Sequence, residues 1–391
     1  MRKCRAPRVF SFCKLSKQLA RLTGGRNEPI IAPRRKGSGH NFLRTGVLIG
    51  LLLLSCGAAR AADILAPAQS DAPAAAAPIA PQTGRVTIIG ENDAFAPAPT
   101  DRWYTNGLEL RYLSAPTNAA AVPGLLNPTP VRQQRFELIL GQTIFTPADL
   151  RLNPPDPADR PYAGWLYFGG GLYQENANHS LDHVELVGGI VGPAALGEQV
   201  QNGFHSLLNG LGQSQVQAAG WGSQLRNEAG FIASYEHKWR IGAPVGDGLA
   251  VDAIPEIGFS AGNIYTYAET GAFLRLGRNL NADYGPARIR PALSGGSWFD
   301  PSQLDGPFGW YFFVGGQIRA VAQNIFLDGN TFAGSPSVQK YPFVGDVSVG
   351  LSVFRADIAK VDLVLTWRSK EFVGQSDTER YGGINVSFRT P

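Results

Sequence analysis

From Arg85 onward, apolar and polar residues alternate with a period of two along much of the chain. In residues 361–368 the odd positions are apolar and most even positions are polar, and Ile384, Val386 and Phe388 share one face near the C-terminus. A period of two is typical of β-strands, because successive side chains point to opposite faces of a sheet. No apolar stretch after the N-terminal region is long enough for a membrane-spanning helix.

Many of these runs exceed the roughly 9–11 residues that a tilted strand needs to cross a bilayer. Aromatic residues such as Trp103, Trp165 and Trp239 lie toward strand ends, as in the interfacial girdles of outer-membrane barrels. The pattern predicts an all-β fold, an antiparallel transmembrane β-barrel of about twelve strands with a short helix inserted in an extracellular connection. A secreted β-sandwich or lipocalin-like protein is the alternative, because the signal of each single strand is weak. The predicted strands lie near residues 85–92, 104–114, 131–144, 161–174, 181–191, 225–240, 248–262, 264–278, 309–323, 338–353, 356–370 and 378–389.

The first 61 residues have the order of regions that a secretory signal requires. Basic residues are followed by an apolar stretch at 47–54 and then by a small-residue site at 59–61. A cleaved organellar transit peptide is the alternative, and Cys56 leaves lipidation open. We therefore divide the chain into a basic extension with a signal peptide (1–61), an Ala/Pro-rich linker (62–84) and an outer-membrane barrel domain (85–391).

The net charge of +4 conceals an uneven distribution along the chain. Thirteen of the 35 Lys and Arg residues, but only one of the 31 acidic residues, lie within residues 1–61. The remainder carries 22 basic and 30 acidic residues, a net charge of −8, which argues against a nucleic-acid partner. The three cysteines also lie within residues 1–61, so we expect neither a disulfide nor a catalytic thiol in the exported protein.

If the N-terminus lies in the periplasm, the odd-numbered connections between strands face outward. The first three of these outward connections contain most of the residues that could bind a ligand or catalyse a reaction. The third contains a convincing helix near residues 194–209, in which Leu196, Val200 and Phe204 form an apolar face and His205 lies on the polar face. A histidine there is a candidate general base, and a solvated surface histidine is the alternative. The connection at 279–308 is long for a periplasmic turn, and the sequence assigns it no role.

The first outward connection begins with the doublet Asn92-Asp93, and Thr105 lies near its end. Carboxylate and amide oxygens are hard ligands of the kind that calcium takes, so Asp93 with Asn92 is a candidate calcium site. A cation held there would polarise an ester carbonyl. The alternative is turn chemistry, because Asn and Asp populate loops for backbone reasons.

Four sequence blocks resemble, in order, the motifs of the bacterial outer-membrane lipid A 3′-O-deacylase family. They are ENDAF…TDRWYTNG, GQTIFTP, DRPYAG and GPAALGEQVQNGFH, and together they span most of residues 85–205. The resemblance implies a twelve-stranded barrel that removes the 3′-acyloxyacyl group of lipid A and depends on calcium. Carried over by motif, the family site corresponds to Asn92, Asp93, Thr105 and His205.

One feature of the family site has no counterpart in this sequence. The family has a lysine in the region of the 131–144 strand, and this strand contains none. Arg132 and Arg135 are the candidates to replace its positive charge, and loss of that function is the alternative. We expect the absence of this lysine to affect the orientation of the substrate more than the hydrolytic step.

The expected function is calcium-dependent hydrolysis of the 3′-acyloxyacyl ester of lipid A in lipopolysaccharide, by a monomer at the outer leaflet of the Gram-negative outer membrane. His205 would activate water, Asp93 and Asn92 would hold calcium, and Thr105 would orient water or bind the oxyanion.

Three arginines near the same connections are expected to contact lipid phosphates. Arg102, Arg151 and Arg160 are suited to this, because a guanidinium group binds phosphate through paired hydrogen bonds. Two rival functions remain open: a non-catalytic pore or adhesin, and a phospholipase-type barrel with Ser206 as nucleophile.

Overall fold

The computed structural model describes residues 83–96, 101–117, 129–212, 214–291 and 296–390. The predicted signal peptide and nearly all of the predicted linker lie outside these residues. The described chain contains two α-helices, α1 (Gly197–Gly210) and α2 (Ile325–Asp328), and thirteen strands in one sheet. The strands are β1 (Arg85–Asn92), β2 (Trp103–Leu113), β3 (Val131–Thr146), β4 (Ala163–Asn176), β5 (Ser180–Val191), β6 (Glu228–Trp239), β7 (Ile241–Gly246), β8 (Leu249–Gly262), β9 (Tyr265–Arg278), β10 (Phe308–Asn324), β11 (Phe343–Arg355), β12 (Ala359–Arg368) and β13 (Glu379–Arg389).

The sheet closes on itself to form an antiparallel barrel. β1 pairs with both β2 and β13, and β6 pairs with both β5 and β8, so the sheet has no free side. β6 and β7 pair with β8 in a single register, in which Lys238 lies opposite Glu256 and Ile241 lies opposite Ala253. They are therefore two parts of one barrel strand, interrupted at Arg240. The prediction of a twelve-stranded barrel with an inserted helix is confirmed.

The two faces of the barrel wall have opposite character. Outward side chains are apolar and exposed, with Leu138 exposed by 63% and Phe168 by 71%. Inward side chains include buried charged groups such as Arg111, Glu137 and Arg319. Closure satisfies the backbone hydrogen bonds within the wall, and an apolar outer face is what a hydrocarbon surrounding requires.

The described parts of the connection between β9 and β10, residues 279–291 and 296–307, lie largely inside the barrel. Its Arg288 donates from Nη2 to the hydroxyl of Tyr381 on β13 at 3.1 Å, and Arg290 donates to Glu236 on β6 at 2.9 Å. Farther along, the backbone N–H of Ser297 donates to the hydroxyl of Tyr173 on β4 at 3.0 Å. Because β13 lies on the opposite side of the closed wall from β6, the connection must cross the lumen. This explains the length of the 279–308 segment, for which the sequence offered no role.

The connections divide between two rims. The upper rim is the end that carries connections 93–102, 147–162, 192–227, 263–264, 325–342 and 369–378, and the lower rim carries the others and both ends of the described chain. Helix α1 lies in the 192–227 connection, as predicted. Within the described ranges, no helix has both the length and the apolar character needed to span a membrane.

The filled lumen predicts that the native barrel does not conduct ions. We expect planar bilayers containing the purified protein to show no steady current steps, because charged side chains and the 279–307 connection occupy the interior. A variant with residues 281–306 replaced by a short Gly-Ser linker should conduct, provided that its heat-modifiable migration on gels shows a folded barrel. Steady ohmic steps from the native protein would contradict this description of the lumen.

Candidate active site at the upper rim

A β-bulge in β2 turns two polar side chains to the outside of the barrel. Tyr104 lies opposite Phe145 and Asn106 lies opposite Ile144, so Thr105 is an extra residue in β2. Tyr104 points inward, since its hydroxyl donates to the lumenal Glu91 at 2.9 Å. The bulge reverses the alternation after Tyr104, as an extra residue does.

Side chains from three strands meet at this bulge on the outer face of the wall. The hydroxyls of Thr105 and Thr146 are 2.7 Å apart, and Thr146 lies on the opposite face of β3 from the inward Phe145. Asn106 accepts a hydrogen bond at 3.3 Å from Nδ2 of Asn92, at the end of β1. The site therefore forms outside the barrel and not in its lumen.

The doublet Asn92-Asp93 is fixed by backbone hydrogen bonds. Oδ1 of Asn92 accepts from the N–H of Ala94 at 2.7 Å and so caps a short 3₁₀ turn, Asp93–Phe95. Oδ2 of Asp93 accepts from the N–H of Arg102 at 2.6 Å, and the Asp93 side chain is buried. These bonds hold both side chains beside the bulge.

His205 on helix α1 faces the same loop. Its Nδ1 lies 2.6 Å from the carbonyl oxygen of Val216, so Nδ1 carries a hydrogen and donates it. Its Nε2 lies 3.3 Å from Oδ2 of Asp101. The solvated histidine that the sequence left open does not occur, because His205 is buried.

Asp101 is a candidate site residue that was not predicted from the sequence. It lies in the loop next to Asp93 and contacts His205, and so connects the β1 end of the site to the helix. Its φ angle of 43° places it in the left-handed region, which an aspartate tolerates better than most residues. An aspartate near prolines is typical of a turn. The sequence contains no motif or regular spacing that would indicate a contact between positions 101 and 205.

Both acidic groups of this loop hold protons more strongly than usual. Burial holds the pKa of Asp93 well above its usual range, and the nearby charge of Asp101 raises it further. Burial also raises the pKa of Asp101, against the opposing effects of the His205 charge and a hydrogen bond from Gln201. Two carboxylates that lie close together with too few positive groups around them repel each other. A proton or a metal ion bound between them relieves this repulsion.

Helix α1 packs on the wall through its polar side. Gly197 approaches β4 so closely that a Cβ atom added to it would lie 3.3 Å from the Cα of Gly164 and 2.7 Å from the Trp221 ring. The neighbouring inward-facing residue, Gln201, accepts a hydrogen bond from the Trp221 indole at 2.9 Å. The helix was predicted correctly, but it is the face with His205 that is buried, and the apolar face is exposed.

The other predicted residues lie in different surroundings. Arg102 stacks on the Trp103 ring, with its guanidinium carbon 4.1 Å from the ring centroid. Arg151 is exposed and pairs with Asp149. Arg160 is buried and forms an ion pair with Glu371 at 3.2 Å, a position that does not fit direct contact with a lipid phosphate.

Arg132 and Arg135 do not replace the family lysine at the site. Both lie near the start of β3, at the lower rim. Arg132 pairs with Glu175 and Asp300, and Arg135 donates to the carbonyl oxygen of Thr83 at 2.8 Å. The substitution proposed from the sequence is therefore wrong, because β3 runs upward from these residues and the site lies at its other end.

The serine alternative also finds no support in the geometry. Ser206 is exposed, and its hydroxyl donates to the carbonyl oxygen of Asn202 one turn earlier at 2.8 Å. His205 next to it is buried on a different side of the helix. The pair does not form a nucleophile and base.

A second group of possible metal ligands, in the lumen, is already balanced by cations. Glu137, His183 and Glu185 lie close enough together to bind one ion. However, Arg111 lies 3.2 Å from Glu137 and 3.6 Å from Glu185, and Arg290 donates to Nδ1 of His183 at 3.2 Å. Among the described residues, the upper-rim carboxylates are thus the better candidate for a cation site.

Comparison with known proteins identifies one family and one similar fold. The sequence profile of the outer membrane protein LpxR family matches residues 51–390. The structure of LpxR from Salmonella typhimurium aligns with 21% identity and a TM-score of 0.62, and covers 78% of this chain and 100% of that one. The β domain of the Bordetella autotransporter BrkA aligns with 11% identity and a TM-score of 0.37, covering 78% of this chain and 97% of that one. No curated protein matches the sequence.

The Gly164–Gly197 contact can be tested with a matched pair of helix substitutions. Gly197→Ala should push α1 from the wall, because the new methyl group meets Trp221 at 2.7 Å. Gly203→Ala should leave it in place and strengthen the helix by about 1 kcal/mol, because alanine has the higher helix propensity, and the added methyl group at Gly203 meets no atom within 4 Å. Chymotryptic cleavage at Phe204 should be faster in the first variant only, and equal rates in both would contradict this packing.

Proposed function

This chain belongs to the LpxR family of outer membrane proteins and is located in the Gram-negative outer membrane, and from that premise we propose that it is a lipid A deacylase. The reaction is hydrolysis of the 3′-acyloxyacyl ester at the outer leaflet, and it depends on calcium. One closed barrel supplies every residue of the site, so a monomer acting on lipopolysaccharide is sufficient.

The observation that carries this proposal is the position of the site on the outer face of the wall. Asn92, Thr105 and Asn106 point outward at the upper rim, and His205 faces them from a helix packed on the same outer surface. A lipid of the outer leaflet contacts this surface without leaving the membrane.

His205 is suited to accept a proton through Nε2. Because Nδ1 donates to Val216, the neutral ring presents its lone pair at Nε2, toward Asp101. In the proposed reaction, a water molecule that donates a hydrogen bond to Nε2, beside Asp101, gives its proton to Nε2 while its oxygen attacks the acyl carbonyl carbon. Asp101 stabilises the imidazolium that forms. The proton then passes to the departing sugar alkoxide, and the products are the free 3′-acyloxyacyl acid and a sugar hydroxyl group.

Thr105 is placed to stabilise the negative charge on the ester oxygen. Its hydroxyl shares one hydrogen bond with Thr146, in which either oxygen can be the donor. If Thr146 donates, the hydrogen of Thr105 is free to point at the developing oxyanion. Removing one such donor typically costs about two to three powers of ten in rate.

The residues near Asp93 fit a calcium ion by their chemistry. The carboxylates of Asp93 and Asp101 and the amide oxygen of Asn92 are hard oxygen donors, and the mutual repulsion of the two carboxylates would be relieved by a cation. Asp101 is an addition to the ligands expected from the sequence. A calcium ion bound here would supply Lewis-acid polarisation of the ester carbonyl.

The arginines have different proposed roles. Arg102 and Arg151 remain available near the upper rim to meet lipid phosphates, since each has an exposed or partly exposed side chain. Arg160 instead orders the 147–162 connection through its ion pair with Glu371 on the 369–378 connection. Its contribution to substrate binding is therefore indirect.

Substitution of His205 tests the proposed base. His205→Gln should lower deacylation by about two to four powers of ten, because the general base is removed. The readout is mass spectrometry of lipid A from a host without such an enzyme, with heat-modifiable gel migration as the check of folding. Ser206→Ala is the matched control and should act as the wild type. Deacylated lipid A at wild-type levels from His205→Gln would refute the assignment.

Removal of calcium tests the proposed cofactor. Chelation should abolish deacylation by the purified protein, and added calcium should restore it, because the Asp93 site is needed to polarise the carbonyl. Asp93→Asn should need far more calcium or stay inactive, whereas Asp357→Asn at the exposed lower rim should behave as the wild type. Full activity in excess chelator would show that the reaction does not use a metal ion.

A further inference from the structure

Helix α1 presents three different faces, one toward the protein and two toward its surroundings. Gly197, Gln201 and His205 form the buried face, four residues apart. The residues just before them in sequence, Leu196, Val200 and Phe204, are apolar and exposed by 49%, 40% and 49%. Because successive residues turn by about 100° around a helix, this apolar stripe lies beside the buried face and not opposite it.

The third face lies on the other side of the buried one. Glu198, Asn202 and Ser206 each follow a buried-face residue by one position and are polar, so they are turned by about 100° in the opposite sense. The helix therefore separates an apolar flank from a polar flank while its third side rests on the barrel. Leu207, exposed by 60%, and Leu211 extend the apolar stripe, which we define as residues 196, 200, 204, 207 and 211. Leu196 and Leu211 are the cap residues at the two ends of α1.

The apolar stripe continues an apolar surface that already faces lipid. Gly197 packs against Gly164 at the top of β4, and Phe168 on the outward face of the same strand is exposed by 71%. Glu198 is the one acidic or basic residue of α1, apart from His205 on the buried side. Little charge has to be removed from water if the apolar flank enters hydrocarbon.

We propose that the apolar stripe of α1 is embedded in the hydrocarbon of the outer leaflet, with the polar flank at the water surface. The helix then lies in the plane of the membrane interface and forms the lipid-side wall of the site. This inference rests on the proposed deacylase function. The entrance to the site, between α1 and the barrel, then lies at the depth of the acyl chains. A lipid would enter sideways from the leaflet, with its ester already close to His205.

Spin labels on single cysteines measure this placement directly. The native cysteines all lie within the predicted removable region, so each exported variant carries one label. Phe204→Cys and Leu207→Cys place labels on the apolar stripe, and Gln199→Cys and Ser206→Cys are matched controls on the exposed polar side. Each labelled protein is folded into phosphatidylcholine vesicles, and collisions with molecular oxygen and with a water-soluble nickel chelate are compared.

The expected result is a ratio of oxygen to nickel collisions that is several-fold higher at 204 and 207 than at 199 and 206. Equal nickel accessibility at all four positions would place the stripe in water and overturn the inference. Labels at 204 and 207 that are immobilised and shielded from both agents would indicate a protein partner or a second copy, and would also overturn it. The measurement does not use deacylation, so a lipid-embedded stripe in an inactive protein would refute only the proposed function.

Discussion

The site of this protein depends on one close contact, the packing of Gly197 at the start of α1 against Gly164 at the top of β4. Two glycines allow the backbones to approach without intervening side chains. This approach brings the buried face of the helix, with His205, over the outer ends of the first strands. Without this contact, the imidazole of His205 would not lie near the Asp93 loop, and the two connections could not act on the same substrate.

The barrel wall separates two polar regions that perform different tasks. Inside, carboxylates and guanidiniums from many strands pair with each other and with described residues of the 279–307 connection, so the interior is crossed by ion pairs and hydrogen bonds. Outside, the bulge at Thr105 interrupts the apolar surface and exposes a few polar groups at one rim. An enzyme that acts on a membrane lipid needs its reactive groups on the outer surface, and the bonds of the interior support that surface.

The sequence predicts the strands well because the barrel imposes the same alternation on every one of them. The sequence reveals the 279–308 connection but not its position inside the barrel. A segment that folds into a polar lumen has the same mixed composition as an ordinary surface loop. The helix is recognisable from its apolar spacing. Its orientation is not, since a helix beside lipid turns its apolar face outward, whereas the usual rule for a water-soluble protein buries that face.

The candidate site shows the same limits at the level of single residues. Asn92, Asp93, Thr105 and His205 all lie at the upper rim, and motif resemblance was sufficient to select them. Asp101 was missed because its role arises from a contact with a helix about a hundred residues away. The error over Arg132 and Arg135 was avoidable, because the direction of β3 already places its first residues at the lower rim.

The most direct test is a crystal structure of a His205→Ala variant with lipid A and calcium bound. We expect the acyl ester to lie outside the barrel, between Asp93 and the space left by the imidazole, with its carbonyl oxygen near Thr105. An ester found inside the lumen, or on the outer wall away from α1, would contradict it.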